Sequence, residues 1–356
     1  MARWGVATQP PDKSLAERIA DDLGGAFAVG LAYLGDKLGL FVALAAGGPV
    51  TSEELAQRTG LHERYVREWL NAMVASRYVD RQPEADTYAM TAEQRAVLAD
   101  EGGRMFMAGA FPFALESLLL APRLASSFQD GGGISFAELP AAIPNAIDRM
   151  HRPWFQHLLV QEWIAGVPGL TERLTGGIRV LDVGCGLGRS TVALARAFPQ
   201  SAFVGLDPHV PSIHQARHLA AEAGASNATF VPASVEALDP EADRFELIVA
   251  IDCVHDMVEP VGALRAMRAL LVAGGQVFWS EPTGSREPLE NRNPQGRLRA
   301  SLSPFHCLTV SLAAGGAALG TIIGEAGARE LAAQAGFARF DKLGIPHPAQ
   351  QFFLAC

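Results

Sequence analysis

Apolar positions change rhythm twice along this chain. Across residues 15–99 they recur at helical spacing, first in an apolar helix around residues 27–44 and then in two shorter segments. TSEELAQRTG (51–60) opens on Thr51, whose hydroxyl can cap a helix, with Glu54 three residues on as its capping-box partner and Gly60 to mark the turn. In the next helix, ERYVREWLNAMVASR, the residues Tyr65, Val66, Trp69, Leu70 and Met73 share a face, and YVDRQPEADTYAMT reads as a hairpin turning near residues 83–86. Helix, turn, helix and hairpin in that order predict a winged helix. Through residues 102–163 the helical spacing continues while polar positions thin out, in MFMAGAFPFALESLLLAPRL, a glycine-rich break at 131–133, and MHRPWFQHLLVQEW. Such helices need an apolar neighbour, either a second subunit or a pocket that excludes water. Beyond about Pro168, short apolar runs alternate with helical ones, as in a parallel sheet with crossover helices. Seven strands are expected, near residues 178–183, 202–206, 228–232, 245–251, 275–281, 337–341 and 350–356.

A length of 356 residues exceeds what one core usually serves. The rhythm suggests a winged-helix and dimerisation unit at 1–100, a helical linker or lid at 101–168 and an α/β domain at 169–356. Charged residues are 19% of the chain and hydrophobic ones 49%, which leaves ample apolar material to bury. A net charge of -9 works against any partner held through phosphates. Between Thr51 and Arg81 five Arg face five Asp or Glu, so the winged helix lacks a basic stripe and reads as structural or dimer-forming rather than DNA-binding. Cys185, Cys253, Cys307 and Cys356 are scattered without a CxxC pair, as free thiols are. The opening MARWGVATQP lacks the basic flank and apolar core of a secretion signal, so the cytoplasm is expected. Residues 304–324 carry no Asp, Glu, Lys or Arg but are mostly small, and they read as buried protein rather than a membrane span.

The string VLDVGCGLGRST (180–191) carries the most chemistry. A buried strand passes Asp182, glycines follow at 184, 186 and 188, and Ser190 opens a helix. Glycine lets the backbone turn tightly and lets a ligand approach where a Cβ would collide, while the helix start offers unpaired N–H groups. The dinucleotide pattern GxGxxG would need a glycine where Arg189 stands, which argues against NAD. Asp207 in FVGLDPH ends the next strand, 19 residues past Gly188, where a carboxylate can accept from both hydroxyls of a ribose, with Pro208 beside it. FVPASVEAL brings Ala233 and Ser234 to the end of the third strand. IVAIDCVHDM then brings Asp252, Cys253, His255 and Asp256 to the carboxyl edge of the sheet, where ligands of open α/β folds bind. Imidazole, with an ordinary pKa near 6.5, makes His255 the candidate general base.

On VLDVGCGLG, FVGLDPH, IDCVHDM followed by EPVGALRAMRALL, WSEP, and the late NPQGRLRASLSPFHC and GEAGARELAAQAGF, the chain resembles the bacterial winged-helix-fused class I methyltransferases, cousins of the O-methyltransferases. The resemblance implies a Rossmann-like seven-stranded sheet and S-adenosylmethionine as cofactor, held by Asp182, Gly184, Cys185, Gly186, Gly188, Asp207, Pro208, Ala233, Ser234, Asp252 and Cys253. Where relatives carry an Asp for the adenine amino group, this chain has Ser234. The resemblance also implies that His255 is the base for a small-molecule acceptor, and the apolar helices and winged-helix unit suggest a homodimer through the N-terminal domain and linker. Phe106, Trp154, Phe155, Glu281 and His306 are candidate acceptor contacts.

Each reading has a blander rival. His255 could merely end a strand while methyl transfer runs by proximity. Glu281 could orient it or be solvated, and Trp154 with Phe155 could be core. His214 and His218 have metal-ligand spacing but no nearby Cys or carboxylate cluster, so no metal is expected. A DNA-binding regulator that takes S-adenosylmethionine as effector is the alternative function. A nucleic-acid adenine methyltransferase is disfavoured, because Asp252-Cys253-Val254-His255 replaces the Asn/Asp-Pro-Pro-aromatic string.

Overall fold

The computed structural model describes residues 13–356; the opening ten residues, whose pattern bears on targeting, lie outside it. The chain divides into two compact units between Leu115 and Glu116. In the first, α1 (Leu15–Lys37) and α2 (Leu40–Ala45) replace the single apolar helix expected at 27–44. Ser14 and Glu17 form a capping box that starts α1 early, and left-handed Gly39 breaks it from α2. Helices α3 (Ser52–Thr59) and α4 (Glu63–Ala75) follow, with the Thr51–Glu54 capping box and the left-handed Gly60 both in place. Val66, Trp69, Leu70 and Met73 of α4 enter the core, whereas Tyr65 does not and is 80% exposed. The Trp69 indole donates to Leu31 O at 2.8 Å, so the largest side chain of this core leaves no buried N–H unpaired. The hairpin β1 (Asp80–Gln82) and β2 (Thr87–Ala89) forms the wing, and α5 (Ala92–Leu98) closes the motif.

The second unit opens with helical segments. The α6 helix (Ala110–Leu118) leads into it; α7 (Ala121–Asp130) ends at left-handed Gly131, α8 (Ala142–His157) follows, and a wider turn at Leu159–Ile164 delivers Trp163 to the core. After α9 (Leu170–Gly176) come β3 (Arg179–Val183), α10 (Arg189–Ala197), β4 (Ala202–Leu206), α11 (Val210–Glu222), β5 (Ala228–Val231), β6 (Phe245–Ile251), α12 (Pro260–Leu270) and β7 (Leu271–Pro282). The end of the chain adds α13 (Pro294–Leu302), α14 (Cys307–Ala313), α15 (Gly324–Ala335), β8 (Phe340–Leu343) and β9 (Gln350–Ala355). Seven strands form one sheet in the order β5-β4-β3-β6-β7-β9-β8, the first five parallel and β9 antiparallel to both its neighbours.

Side chains alternate across the sheet and feed a core on each face. Val180, Phe278 and Phe352 pack with Trp163 and Leu194 on one side, and Leu181, Trp279 and Phe353 pack with Leu264, Met267 and Leu331 on the other. Two strands depart from expectation for local reasons. The β7 strand starts four residues early, since Leu271 pairs with Phe245 before a register shift, with left-handed Gly274 between. The β8 strand starts late because Phe337 belongs to the end of α15: Gly336 takes a left-handed conformation, and the Phe337 N–H returns to Ala332 O at 3.1 Å. Strand order reverses between β3 and β6, which puts the turns after both at the place where α/β sheets bind ligands. No helix among the described residues is long and apolar enough to cross a membrane.

Candidate active site

The turn after β3 is shaped by contacts that forbid side chains. Gly184, Gly186 and Gly188 all have positive φ, at 70°, 53° and 79°. A Cβ on Gly184 would stand 2.8 Å from the Cβ of Cys253, and one on Gly188 would stand 2.7 Å from the Cβ of Ala216. The turns after β3 and β6 therefore lie side by side. Cys253 fixes this by donating its thiol to Val183 O at 3.2 Å, and Cys185 is buried beneath, so both thiols are packing groups. Burial pushes the Cys185 thiol far above its ordinary pKa.

Asp182 faces inward. Ser190 and Thr191 both donate to its Oδ2 at 2.6 Å, which pins the first turn of α10 to the end of β3. Burial outweighs those two bonds and raises its carboxyl to about 6. Asp207 ends β4 with Oδ2 accepting from Gly186 N–H and Oδ1 from His209 N–H, both at 2.9 Å. Pro208 is exposed beside it, Ala233 is half-buried, and Ser234 is exposed at the start of the short turn Val235–Ala237. Arg189, where a dinucleotide fold would have glycine, pairs with Asp148 of α8, tying the helical segment to the glycine turn.

At the end of β6, Asp252 holds a left-handed φ of 56°, strained for a residue with a side chain and braced by its N–H to Ser280 O at 2.9 Å. Its carboxylate meets His151 of α8 at 3.3 Å. Burial alone would raise its pKa, but the hydrogen bond and charge of His151 win and hold it at about 2. The His151 ring stacks on Trp154 at 4.6 Å, and Phe155 lies edge-on to it.

Three residues on, His255 is 3% exposed and Glu281, at the end of β7, is 0% exposed. His255 Nδ1 and Glu281 Oε2 are 2.6 Å apart, and the Trp279 indole donates to the other carboxylate oxygen at 2.6 Å. Of the two readings of Glu281, orienting His255 or meeting solvent, the geometry is that of the first. Burial pushes the ring toward its neutral form, yet the charges of Asp256 and Glu281 outweigh it and raise its pKa. His255 Nε2 lies 3.4 Å from Cys307 Sγ and 3.4 Å from Asp256 Oδ1. His306 is buried, which lowers its pKa.

Three residues that sequence reading left unremarked also come here: Asp148, His151 and Phe136. The Phe136 ring lies 5.1 Å from that of His209 and 6.3 Å from that of His306, so the segment after α7 bridges the Asp207 turn and the start of α14. Ile134 N–H donates to Thr309 Oγ1 at 2.8 Å, which secures the same segment. Nothing in local spacing announces these contacts, since their partners are far away in sequence. Trp154 and Phe155 are half-buried against the core that contains Trp163, and Phe106 lies buried in the first unit.

Residues 25–100 match the model of the Rv2258c-like winged HTH domain, and residues 174–327 match a methyltransferase domain. Among curated proteins the chain is 34% identical over 119 residues to the ubiquinone biosynthesis O-methyltransferase of Paracidovorax citrulli, covering 33% of this chain and 47% of that one. It spans about half the length of the curated relatives it matches. Among solved structures it is similar to a proposed O-methyltransferase of Nostoc punctiforme, with a TM-score of 0.75 and 20% identity over 98% of this chain and 99% of that one. It is also similar to human N-acetylserotonin methyltransferase in complex with SAM, with a TM-score of 0.69 and 15% identity over 98% and 99%. At those identities the likeness is one of fold, and it extends through both units.

Proposed function

We propose that this chain, a winged helix-turn-helix domain joined to a methyltransferase domain of the class I fold, transfers the methyl group of S-adenosylmethionine to a hydroxyl of a small molecule. The observation that carries this reading is the buried Glu281–His255 pair at the carboxyl edge of the sheet, beside a glycine turn of the kind that seats a nucleoside. The residues present fit the cofactor. On Gly186 a Cβ would meet nothing within 4 Å, so the turn opens onto free space, and the Asp207 carboxylate is held facing that turn by two backbone N–H groups.

When bound, S-adenosylmethionine supplies a methyl group already activated by its sulfonium charge. Gly184, Gly186 and Gly188 shape the methionine end of the site with Cys185, Asp252 and Cys253, and Asp182 positions them by anchoring α10. Asp207 would accept from the ribose hydroxyls, and Pro208, Ala233 and Ser234 would flank the adenine. The Glu281 carboxylate accepts a hydrogen bond from Nδ1–H of His255, which leaves the lone pair of the neutral ring on Nε2. A raised pKa makes that nitrogen the stronger base once its extra proton has left, and there it would take the proton of an acceptor hydroxyl. Phe136, Trp154 and Phe155 would contribute apolar walls that exclude water from the reacting atoms, with the buried His306 ring packed against Phe136.

The test is calorimetry followed by turnover. Wild-type protein should bind S-adenosylhomocysteine, and Asp207→Ala should weaken binding roughly 10- to 100-fold, the worth of charged hydrogen bonds. With a panel of phenolic acceptors, His255→Ala should leave nucleoside affinity intact and lower turnover by about 100-fold or more. Absence of nucleoside binding by the wild type would refute the cofactor. Unchanged turnover in His255→Ala would leave proximity as the mechanism.

A further inference from the structure

Around the second nitrogen of His255 the fold assembles three groups whose chemistry goes beyond proton transfer. Cys307 Sγ and Asp256 Oδ1 each lie 3.4 Å from His255 Nε2, and the three ligand atoms are all within 4.8 Å of one another. A zinc ion bonded at about 2.0–2.2 Å to nitrogen and oxygen and about 2.3 Å to sulfur, with tetrahedral angles, holds N and O roughly 3.3–3.6 Å apart and either of them roughly 3.5–3.7 Å from S. The N···O edge fits that figure as it stands, and the N···S edge needs only a slight opening, by one or two tenths of an ångström. Asp256 Oδ1 is shielded from solvent and has no hydrogen-bond partner, although the Asp256 side chain is 34% exposed. Beside a thiol and an imidazole and hydrogen-bonded to neither, that shielded oxygen stands where all three can share one cation.

The surroundings complete the pattern. A ligating imidazole usually gives its other N–H to a carboxylate, and Glu281 stands 2.6 Å from His255 Nδ1, locked in turn by the Trp279 indole. On the sulfur side, Thr321 donates its hydroxyl to Cys307 Sγ at 3.0 Å, the bond that would steady a thiolate. We propose that His255 Nε2, Asp256 Oδ1 and Cys307 Sγ form a three-ligand site for a borderline-soft divalent cation, zinc above all, with its fourth position open. On binding, Cys307 gives up its thiol proton to solvent and sulfur coordinates as thiolate, so the ion gains one bond each from S, N and O. Occupancy takes the lone pair that accepts the hydroxyl proton, so the site turns methyl transfer off in proportion to free zinc. That consequence rests on the role of His255 given above; ion binding itself does not.

Cobalt(II) is the probe, because a tetrahedral thiolate site gives it visible bands and a sulfur-to-metal charge-transfer band. Added to the full chain without nucleoside or acceptor, cobalt should develop both with one ion per chain, and zinc should erase them. Cys307→Ser, close in shape and able to keep the Thr321 hydrogen bond, should lose the charge-transfer band. Asp256→Asn, at a partly exposed side chain, should weaken cobalt binding in a fold that circular dichroism finds unchanged, and Glu281→Gln should weaken it by about 10- to 100-fold. Cys356→Ser, which removes the exposed thiol, should change nothing. A charge-transfer band that survives Cys307→Ser, or a wild type that stays colourless in low micromolar cobalt while folded, overturns the site. Cobalt bound as described with methyl transfer undiminished overturns its blocking role.

Discussion

Asp182 shows how a single carboxyl can serve a fold while destabilising it. Its pKa in the folded protein, about 6, exceeds the ordinary 3.8, so the folded state binds this proton more tightly than the unfolded chain does. Stability from this group is therefore gained as pH falls through about 6 toward about 4, and above 6 the buried charge costs about 3 kcal/mol. Asp182→Asn keeps an oxygen for Ser190 and Thr191 and removes the charge. Its Tm should equal or exceed that of the wild type near pH 8, and the difference should vanish near pH 4; parallel melting curves at all pH values would contradict this. The glycines allow a sharper contrast. Gly184→Ala drives a Cβ into Cys253 and should lower Tm, whereas Gly186→Ala has room and carries only the backbone penalty, about 1–2 kcal/mol. Both should lose nucleoside affinity in calorimetry, Gly186→Ala with much the smaller fall in Tm. At this scale type and spacing single out the glycines, Asp207 and His255 as candidates, and the fold brings them to the carboxyl edge of one sheet. The sequence could not show that Cys307, 52 residues from His255, shares its imidazole, nor that Asp182 turns inward.

Elements were most legible where a local rule was strong. The capping box at Thr51, the left-handed Gly60 and the five parallel strands follow from short-range chemistry, whereas the start of β8 depended on how α15 ends. Helix α4 offers the winged helix no spare positive charge in its first turns, since Arg64 pairs with Glu68 and Arg67 with Glu63 and Glu53. Helix α1 has an unmet need instead. Leu15, Ile19, Leu23 and Phe27, four residues apart, form one apolar stripe exposed by 49–76%. Its expected cover is a second copy of the chain, helix against helix. Ile19→Asp with Phe27→Asp should convert a dimer to monomer in sedimentation velocity while far-ultraviolet circular dichroism stays the same; an unaltered sedimentation coefficient would remove α1 from the interface.

For the molecule as a whole, two compact units divide the work, and everything proposed for chemistry lies in the one beginning at Glu116. Its sheet closes out of chain order. Strand β8 is attached to the rest only through β9, which slots between it and β7. A nascent chain with residues 350–355 still inside the ribosomal exit tunnel therefore has five parallel strands and a raw edge at β7. Phe352 and Phe353, both fully buried in the finished sheet, would not yet shield Phe278 and Trp279. Until residues 350–355 emerge, the half-built sheet presents an open, aromatic-lined border to any other unfinished chain, and that interval is when a chaperone would matter most.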